Sequence, residues 1–125
     1  MPKLGIVETI TVFVSPTDAD AEAGTGAVQF RINEDWNVIA VGAHAMVAPT
    51  GQAATFDIND DGTTILSTII TIDASTVDSS AAVTPPVISS STIAAGSEIS
   101  IDIDQVGSTA KGQGFSIYMQ IVRAG

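Results

Sequence analysis

The chain of 125 residues contains no cysteine, which excludes disulfide bonds, thiolate zinc sites and cysteine nucleophiles. Basic residues are almost as scarce, because four Lys and Arg stand against 14 Asp and Glu and leave a formal net charge of −10. Binding to nucleic acid requires several cations to replace phosphate counterions, and an anionic membrane surface repels such a chain. We therefore expect neither nucleic acid nor a membrane as a partner.

Good helix formers and long apolar runs are also scarce. Lys, Glu and Leu together number eight, whereas the β-branched residues Ile, Val and Thr number 42. β-branched side chains lose rotamer freedom in a helix but pack well on a pleated sheet. No run approaches the roughly 18 apolar residues of a membrane span, and residues 4–14 lack the basic leader and cleavage site of a signal peptide. The composition predicts an all-β protein without a targeting segment.

Alternation of apolar and polar residues predicts seven to nine strands, mostly antiparallel. The clearest lies at residues 97–105, where Ile99, Ile101 and Ile103 alternate with polar residues. Further strands are predicted at residues 5–14, 27–33, 36–47, 54–58, 63–72 and 115–122, with a short candidate at 87–88. Because two sheets can bury their apolar faces against each other, the predicted fold is an antiparallel two-sheet β-sandwich, similar to a jelly roll.

One compact domain with an N-terminal extension is expected. Residues 1–26 are predicted to form a strand or arm and then a mobile loop, since small and acidic residues follow Pro16. Residues 27–125 are predicted to form the sandwich. Residues 74–96, rich in Ala, Ser and Thr around Pro85 and Pro86, are predicted to cross the surface. The sequence leaves open whether they pack on the domain or project from it.

The sharpest local motif spans residues 57–62, where Asp57, Asn59 and Asp61 precede Gly62. Oxygen ligands at this spacing match the opening of a calcium loop. The twelfth position, however, is Thr68 instead of a bidentate Glu, and the flanking residues indicate strands. Asp, Asn and Gly are also the residues of tight turns, so we favour a hairpin turn over a metal site and expect no cofactor.

No pattern of residues indicates an enzyme. Asp102 and Asp104 are explained as the polar half of an amphipathic strand, and the sequence nominates neither a nucleophile nor an orienting group for His44. No G-x-S-x-G motif and no glycine-rich phosphate loop is present. Trp36 is the one aromatic residue that could contact a ligand such as a sugar, and a buried core position explains it equally well. We expect neither catalysis nor a small-molecule ligand.

From Trp36 onwards, the sequence resembles a module of tailed-bacteriophage structural proteins. The matching segments are W-x-V-x-x-V-x-A from Trp36, A-P-T-G from Ala48, D-I-N-x-x-G-T-T-I-L-S from Asp57 and I-x-I-D-I-D-Q-V-G-S from Ile99. The ordered set covers roughly residues 36–122. The resemblance implies a β-sandwich of the kind found in capsid decoration (cement) proteins and in tail-fibre proteins, and it transfers no catalytic or binding residue.

The short chain favours a decoration protein over a tail fibre, in which the module is one part of a long chain. The resemblance then implies a non-enzymatic virion protein on the capsid surface, made in the host cytoplasm, bound to the major capsid protein and assembled as a homotrimer. By the same analogy, the contacts are assigned to the N-terminal strand through Leu4, Ile6, Ile10, Val12 and Val14. The alternative is a tail-fibre or baseplate module that binds a receptor glycan through Trp36 and neighbouring loops.

Overall fold

The computed structural model describes residues 6–124, whereas residues 1–5 and 125 lie outside this description. The strands are β1 (Val7–Phe13), β2 (Gly24–Arg31), β3 (Asp35–His44), β4 (Ala54–Asp60), β5 (Thr63–Thr64), β6 (Leu66–Thr68), β7 (Ile70–Ile72), β8 (Val87–Ile88), β9 (Thr92–Ile93), β10 (Glu98–Gln105) and β11 (Ser116–Ala124). A short 3₁₀ helix spans Ser79–Ala81. Across residues 6–124, no helix is long and apolar enough to cross a bilayer.

The strands form two main antiparallel sheets. Sheet A has the order β1-β11-β3-β9, and sheet B has the order β2-β10-β4-β5, with β7 also paired to β4. The chain passes from one sheet to the other between β1 and β2, β2 and β3, β3 and β4, and β10 and β11. This alternation is the jelly-roll arrangement. The predicted fold class is confirmed, and the larger number of strands arises because five of them have only two or three residues.

The core lies between the inner faces of the two sheets. Ile99, Ile101 and Ile103 of β10 are at most 2% exposed, as their period-two spacing predicts. Phe56 of sheet B meets Phe115 edge to face, with ring centroids 5.1 Å apart. Full burial of one large apolar side chain, such as Ile or Phe, stabilises the fold by roughly 1.5–3 kcal/mol. The alternating Ile residues therefore account for much of the stability.

The N-terminal strand belongs to the sandwich. β1 pairs with β11 along its whole length, from Val7 opposite Val122 to Phe13 opposite Ser116. The loop after it is also attached, because Ala21 is fully buried and its N–H donates to the carbonyl of Gly112 at 2.9 Å. The strand predicted within residues 1–26 is therefore β1 of sheet A, where interstrand hydrogen bonds satisfy its backbone, and the predicted arm at residues 1–5 lies outside the described residues.

Residues 74–96 pack on the domain. Ser79 is buried, and its hydroxyl accepts a hydrogen bond from the N–H of Ala43 at 2.8 Å. The N–H of Ser89 donates to the carbonyl of Ile65 at 2.8 Å, and Ile93 is fully buried in β9. The short strand expected at residues 87–88 is present as β8. It pairs with β6, and this pairing divides the predicted strand of residues 63–72 into three pieces.

The turn expected at residues 60–62 closes the hairpin between β4 and β5. Asp60 lies opposite Thr63, and the two residues between them, Asp61 and Gly62, have φ angles of 49° and 85°. Positive φ at both central positions defines a type I′ turn, which matches the twist of a hairpin and favours Asp-Gly. The hairpin interpretation of this motif is confirmed.

Candidate interaction surface

The outer face of sheet A is a broad surface with uncharged side chains at its centre. Since Ile117, Met119 and Ile121 of β11 point into the core, the residues between them point outward, as do their partners on β1 and β3. We call this surface the sheet A face; it consists of Val7, Thr9, Thr11, Phe13, Asp35, Asn37, Ala40, Gly42, His44, Ser116, Tyr118, Gln120 and Val122. Its titratable members, Asp35 and His44, lie at the two ends of β3, so the centre of the face is uncharged although the chain has a net charge of −10.

The outer face of sheet B has the opposite character. Asp57 of β4 lies directly opposite Asp102 of β10, and Asp104 follows on the same strand face. Burial, with the neighbouring charges of Asp57 and Asp102, raises the pKa of the Asp104 carboxyl. Acidic side chains are costly to desolvate, so sheet B is the side that favours water. The charge of the molecule is therefore distributed unevenly between its two broad faces.

Tyr118 and Gly42 make the centre of the sheet A face flat. A Cβ atom at Gly42 would lie 2.3 Å from the Tyr118 ring, so the absence of a side chain there allows the ring to lie directly on β3. The ring covers the backbone of Gly42, which is buried although it belongs to an outer face. A ring on an adjacent strand commonly covers a sheet glycine in this way. The result is a flat platform at the centre of the sheet A face.

An apolar groove of about 430 Å³ borders the sheet A face, lined by Ile39, Ala40, Val41, Pro86, Val87 and Ile88. The register of β3 with β11 shifts between Gln120 and Ile121, and Ile39 is the extra residue of this β-bulge. A bulge redirects side chains, and Ile39 is 45% exposed at the groove. Every side chain of this lining is apolar, and its polar surface comes from backbone atoms alone. The groove therefore suits an extension of an apolar contact surface.

The interface residues expected on the N-terminal strand are mostly turned inward. Val14 is 7% exposed, and Ile10 and Val12 are half-buried against the core. Ile6 is 71% exposed, whereas Leu4 lies outside the described residues. This is a correction: period-two alternation directs Ile10, Val12 and Val14 into the sandwich. The side chains of β1 that are available for contacts are the alternate ones, which belong to the sheet A face.

Arg123 joins three elements at one end of the sandwich. Its Nε lies 2.9 Å from Glu8 Oε1 on β1, and its Nη1 lies 2.9 Å from Glu34 Oε2, just before β3. Hydrogen bonds from Arg123 to Glu8 and Glu34 raise the pKa of the guanidinium above its usual range. Sequence reasoning missed this cluster because 115 residues separate Arg123 from Glu8. Its role is to hold the edge strand to the sheet.

The three candidate metal ligands each have a different hydrogen-bond partner. Asp57 accepts from the hydroxyl of Thr64, and Asn59 Nδ2 donates to Asp102 Oδ2 at 2.9 Å. Asp61 Oδ1 accepts from the N–H of Glu98 at 2.8 Å. Among residues 6–124, no group of three or more His, Cys, Asp or Glu side chains is placed to hold a metal ion. The hairpin explains this motif without a bound cation.

Of the remaining titratable candidates, His44 lies on sheet A, whereas Asp102 and Asp104 lie together on β10 of sheet B. Asp102 uses its second carboxylate oxygen to accept the N–H of Gly26 at 2.7 Å, so it stabilises β2. His44 is exposed at the end of β3 and forms a backbone bridge with Asp78. A hydrogen bond from the backbone N–H of Ser80 is the main cause that lowers the pKa of Asp78, and His44 lowers it further. His44 thus lies at the opposite end of its sheet from the Arg123 cluster, beside a helix-capping carboxylate.

Trp36, the candidate ligand contact, is part of the core. It is 7% exposed, and its ring centroid lies 6.5 Å from that of Phe30 on the facing sheet. Carbohydrate binding by an aromatic residue requires an open ring face, which this burial removes. The structure therefore corrects the proposed contact role, because β3 directs Trp36 inward between the sheets.

The sheet A face and the groove beside it form the candidate contact surface. Comparison of the chain with protein-family models, with curated proteins and with solved structures gives no match. The resemblance to the phage module thus rests on the sequence pattern alone.

Proposed function

We propose that this protein is a non-enzymatic structural subunit of a bacteriophage virion, a decoration protein that attaches to the capsid surface through its sheet A face. The observation that carries the proposal is the division of charge between the two broad faces. A face whose centre has no charged residue can be dehydrated there at low cost, whereas the acidic face of sheet B favours solvent. The sequence resemblance to phage decoration proteins supplies the biological context.

The proposed mechanism is adhesion by many copies. Apolar area removed from water contributes about 25 cal/mol per Å², and the platform and the adjoining groove provide such area without a specific pocket. Repetition of a modest contact over a shell makes the total strong, since copies held together bind with high effective concentration. The major capsid protein is the proposed partner, and a homotrimer is the proposed assembly on the head. The net charge keeps free copies soluble before they bind.

The location of the protein in the particle is the direct test. Quantitative mass spectrometry of purified virions should find a copy number comparable to that of the major capsid protein, and immunogold labelling should mark the head. A few copies at the tail tip would contradict the decoration role and would support the tail-fibre or baseplate alternative. Complete absence from virions would refute both.

The contact face is tested by one substitution made on each sheet. Gln120→Glu adds a charge to the centre of the sheet A face, and Gln29→Glu adds the same charge to β2 of sheet B. Desolvation of the new carboxylate should weaken binding of the purified protein to undecorated heads by tenfold or more in the first variant, since an unpaired buried charge costs well over about 1.4 kcal/mol. The Gln29 variant should bind like the parent protein. Equal binding by both variants would show that sheet A is not the contact face.

A further inference from the structure

The edges of the two sheets differ in how they are protected. Edge strands are templates for pairing with another chain, and proteins blunt them with short length, bulges, proline or lysine. β9, β5 and β7 are only two or three residues long. The edge of β2 is interrupted by a register shift against β10 and by Gly26, whose φ is 66°. β1 has none of these features: it is seven residues long, in continuous register with β11, and contains no Pro or Lys.

Within residues 6–124, the backbone groups of β1 that do not pair with β11 can be assigned from the pairing of the two strands. The N–H of Val14 donates to the carbonyl of Phe115 at 2.9 Å, so even-numbered residues direct their backbone groups towards β11. Alternate residues of a strand point these groups to opposite sides. The N–H and C=O groups of Val7, Thr9, Thr11 and Phe13 therefore face outward from the sheet edge. β1 is the end strand of sheet A and has β11 as its sheet partner.

The sequence of β1 is complementary to itself in one antiparallel register. With Ile10 opposite Ile10 of a second copy, Thr9 faces Thr11 and Val7 faces Phe13. Every outward N–H and C=O group then meets one from the second copy. Cross-strand Thr pairs and aromatic–β-branched pairs are favourable, and Glu8 lies opposite Val12 and not opposite a like charge. Shifting the register by two residues in either direction leaves an end of the strand unpaired.

From this arrangement we infer that β1 is a self-association site, at which a second copy of this chain adds its own β1 antiparallel and joins the two A sheets into one continuous sheet. The contact is twofold and uses the strand edge, whereas the proposed capsid contact uses the sheet A face. The inference does not depend on the proposed function or on the threefold assembly, and each can fail without the others. A strand-edge contact buries less area than a typical stable dimer, so the association is weak in dilute solution.

Single-cysteine variants test both the contact and its register, and the chain has no cysteine of its own. In the inferred register the two copies of residue 10 form a non-hydrogen-bonded pair, with Cα atoms about 4.5 Å apart, which a disulfide can span. Ile10→Cys should therefore give a covalent dimer under mild oxidation. Val12→Cys is the matched control, because it is half-buried on the same face of β1 but lies opposite Glu8. It should remain monomeric under the same conditions.

A proline variant tests the backbone hydrogen bonds. The N–H of Thr11 faces the free edge, so Thr11→Pro removes a donor needed for self-association but none used by the β1–β11 ladder. Sedimentation velocity of the full chain, over about a hundredfold range of concentration, should show concentration-dependent dimers for the parent protein. The variant should associate at least about tenfold more weakly and keep its melting temperature within a few degrees.

Amide hydrogen exchange provides a readout that does not need a variant. The amides of Thr9 and Thr11 should become protected as the protein concentration rises, whereas those of Ile10 and Val12 should be protected at every concentration. A protein that stays monomeric across the range, with no disulfide formed by Ile10→Cys, would overturn the inference. Equal cross-linking of Ile10→Cys and Val12→Cys would overturn the register.

Discussion

Gly107 lies where its loop closely approaches the loop that contains Thr50. A Cβ atom there would lie 1.9 Å from the carbonyl oxygen of Ala110 and 2.8 Å from the backbone nitrogen of Thr50. Both are backbone atoms, and the N–H of Thr50 donates to that same carbonyl at 2.9 Å. Neither loop can therefore move without losing the hydrogen bonds that connect them.

Gly107→Ala should lower the free energy of unfolding by about 1–3 kcal/mol or more, because overpacking against fixed backbone cannot be relieved by a rotamer change. Urea denaturation followed by Trp36 fluorescence measures this loss. Gly24→Ala is the control, since a Cβ there meets nothing within 4 Å and the φ angle is not positive. It should change stability by less than about 0.5 kcal/mol. Equal stability of the two variants would contradict the close backbone contact between the two loops.

The Asp104 carboxyl should make the stability of the protein depend on pH. Burial and the charges of Asp57 and Asp102 raise its pKa, so its ionised form opposes folding above that pKa and its neutral form does not. Asp104→Asn should therefore stabilise the protein at pH 7, by roughly 0.5 kcal/mol or less because the side chain is largely exposed. The gain should disappear as the pH falls below about 4, where the parent carboxyl is protonated in both states. Thermal melts at pH 7 and pH 3 measure the difference, and a gain that persists at pH 3 would show a cause other than charge.

Among the elements, β1 is held at its N-terminal end by a side chain of β11 in addition to the strand ladder. Arg123 of β11 binds Glu8 of β1 and Glu34, and its side chain is 27% exposed. Removal of the guanidinium leaves the two carboxylates without this shared cation. The edge strand should then open locally more often than the rest of the sheet, since local opening follows the loss of local contacts.

Arg123→Gln should accelerate hydrogen exchange several-fold at the amides of Ile10 and Val12, which face β11. Exchange in the central strand β10 should change much less, because its amides exchange through global unfolding. Arg31→Gln is the matched control, since Arg31 also pairs with a glutamate, at 3.9 Å, but on sheet B. Uniform acceleration in both β1 and β10 would indicate a loss of global stability and not of strand attachment.

At the scale of the whole molecule, the unequal distribution of charge determines how copies can approach each other. Each copy carries a net charge of −10, so two copies repel at long range although their β1 edges are complementary. Salt reduces this repulsion, since the Debye length falls from about 30 Å at 0.01 M to about 8 Å at 0.15 M. Self-association through β1 should therefore strengthen with ionic strength, as measured by sedimentation. Weakening by salt would indicate an ion-paired contact in place of strand pairing.

Local alternation and turn residues were sufficient to predict the fold class and several elements. The Ile residues of β10 predicted a strand with one buried face, and Asp61-Gly62 predicted the hairpin, because both depend on neighbours within a few residues. Such local patterns could not predict that residues 63–72 are divided into three strands, β5, β6 and β7. β6 leaves sheet B to pair with β8, and that pairing joins segments about 20 residues apart.

The all-β sandwich with alternating faces follows from the sequence alone, because period-two burial of β-branched residues is a local property of each strand. Which strands are neighbours, and which face of each strand meets water, depends on the folded arrangement of the whole chain. That arrangement directs Trp36 and Val14 inward, brings Glu8 to Arg123 and leaves the centre of the sheet A face without charge. The physical reason is that strand order and register arise from contacts between residues far apart in sequence, which no local pattern specifies.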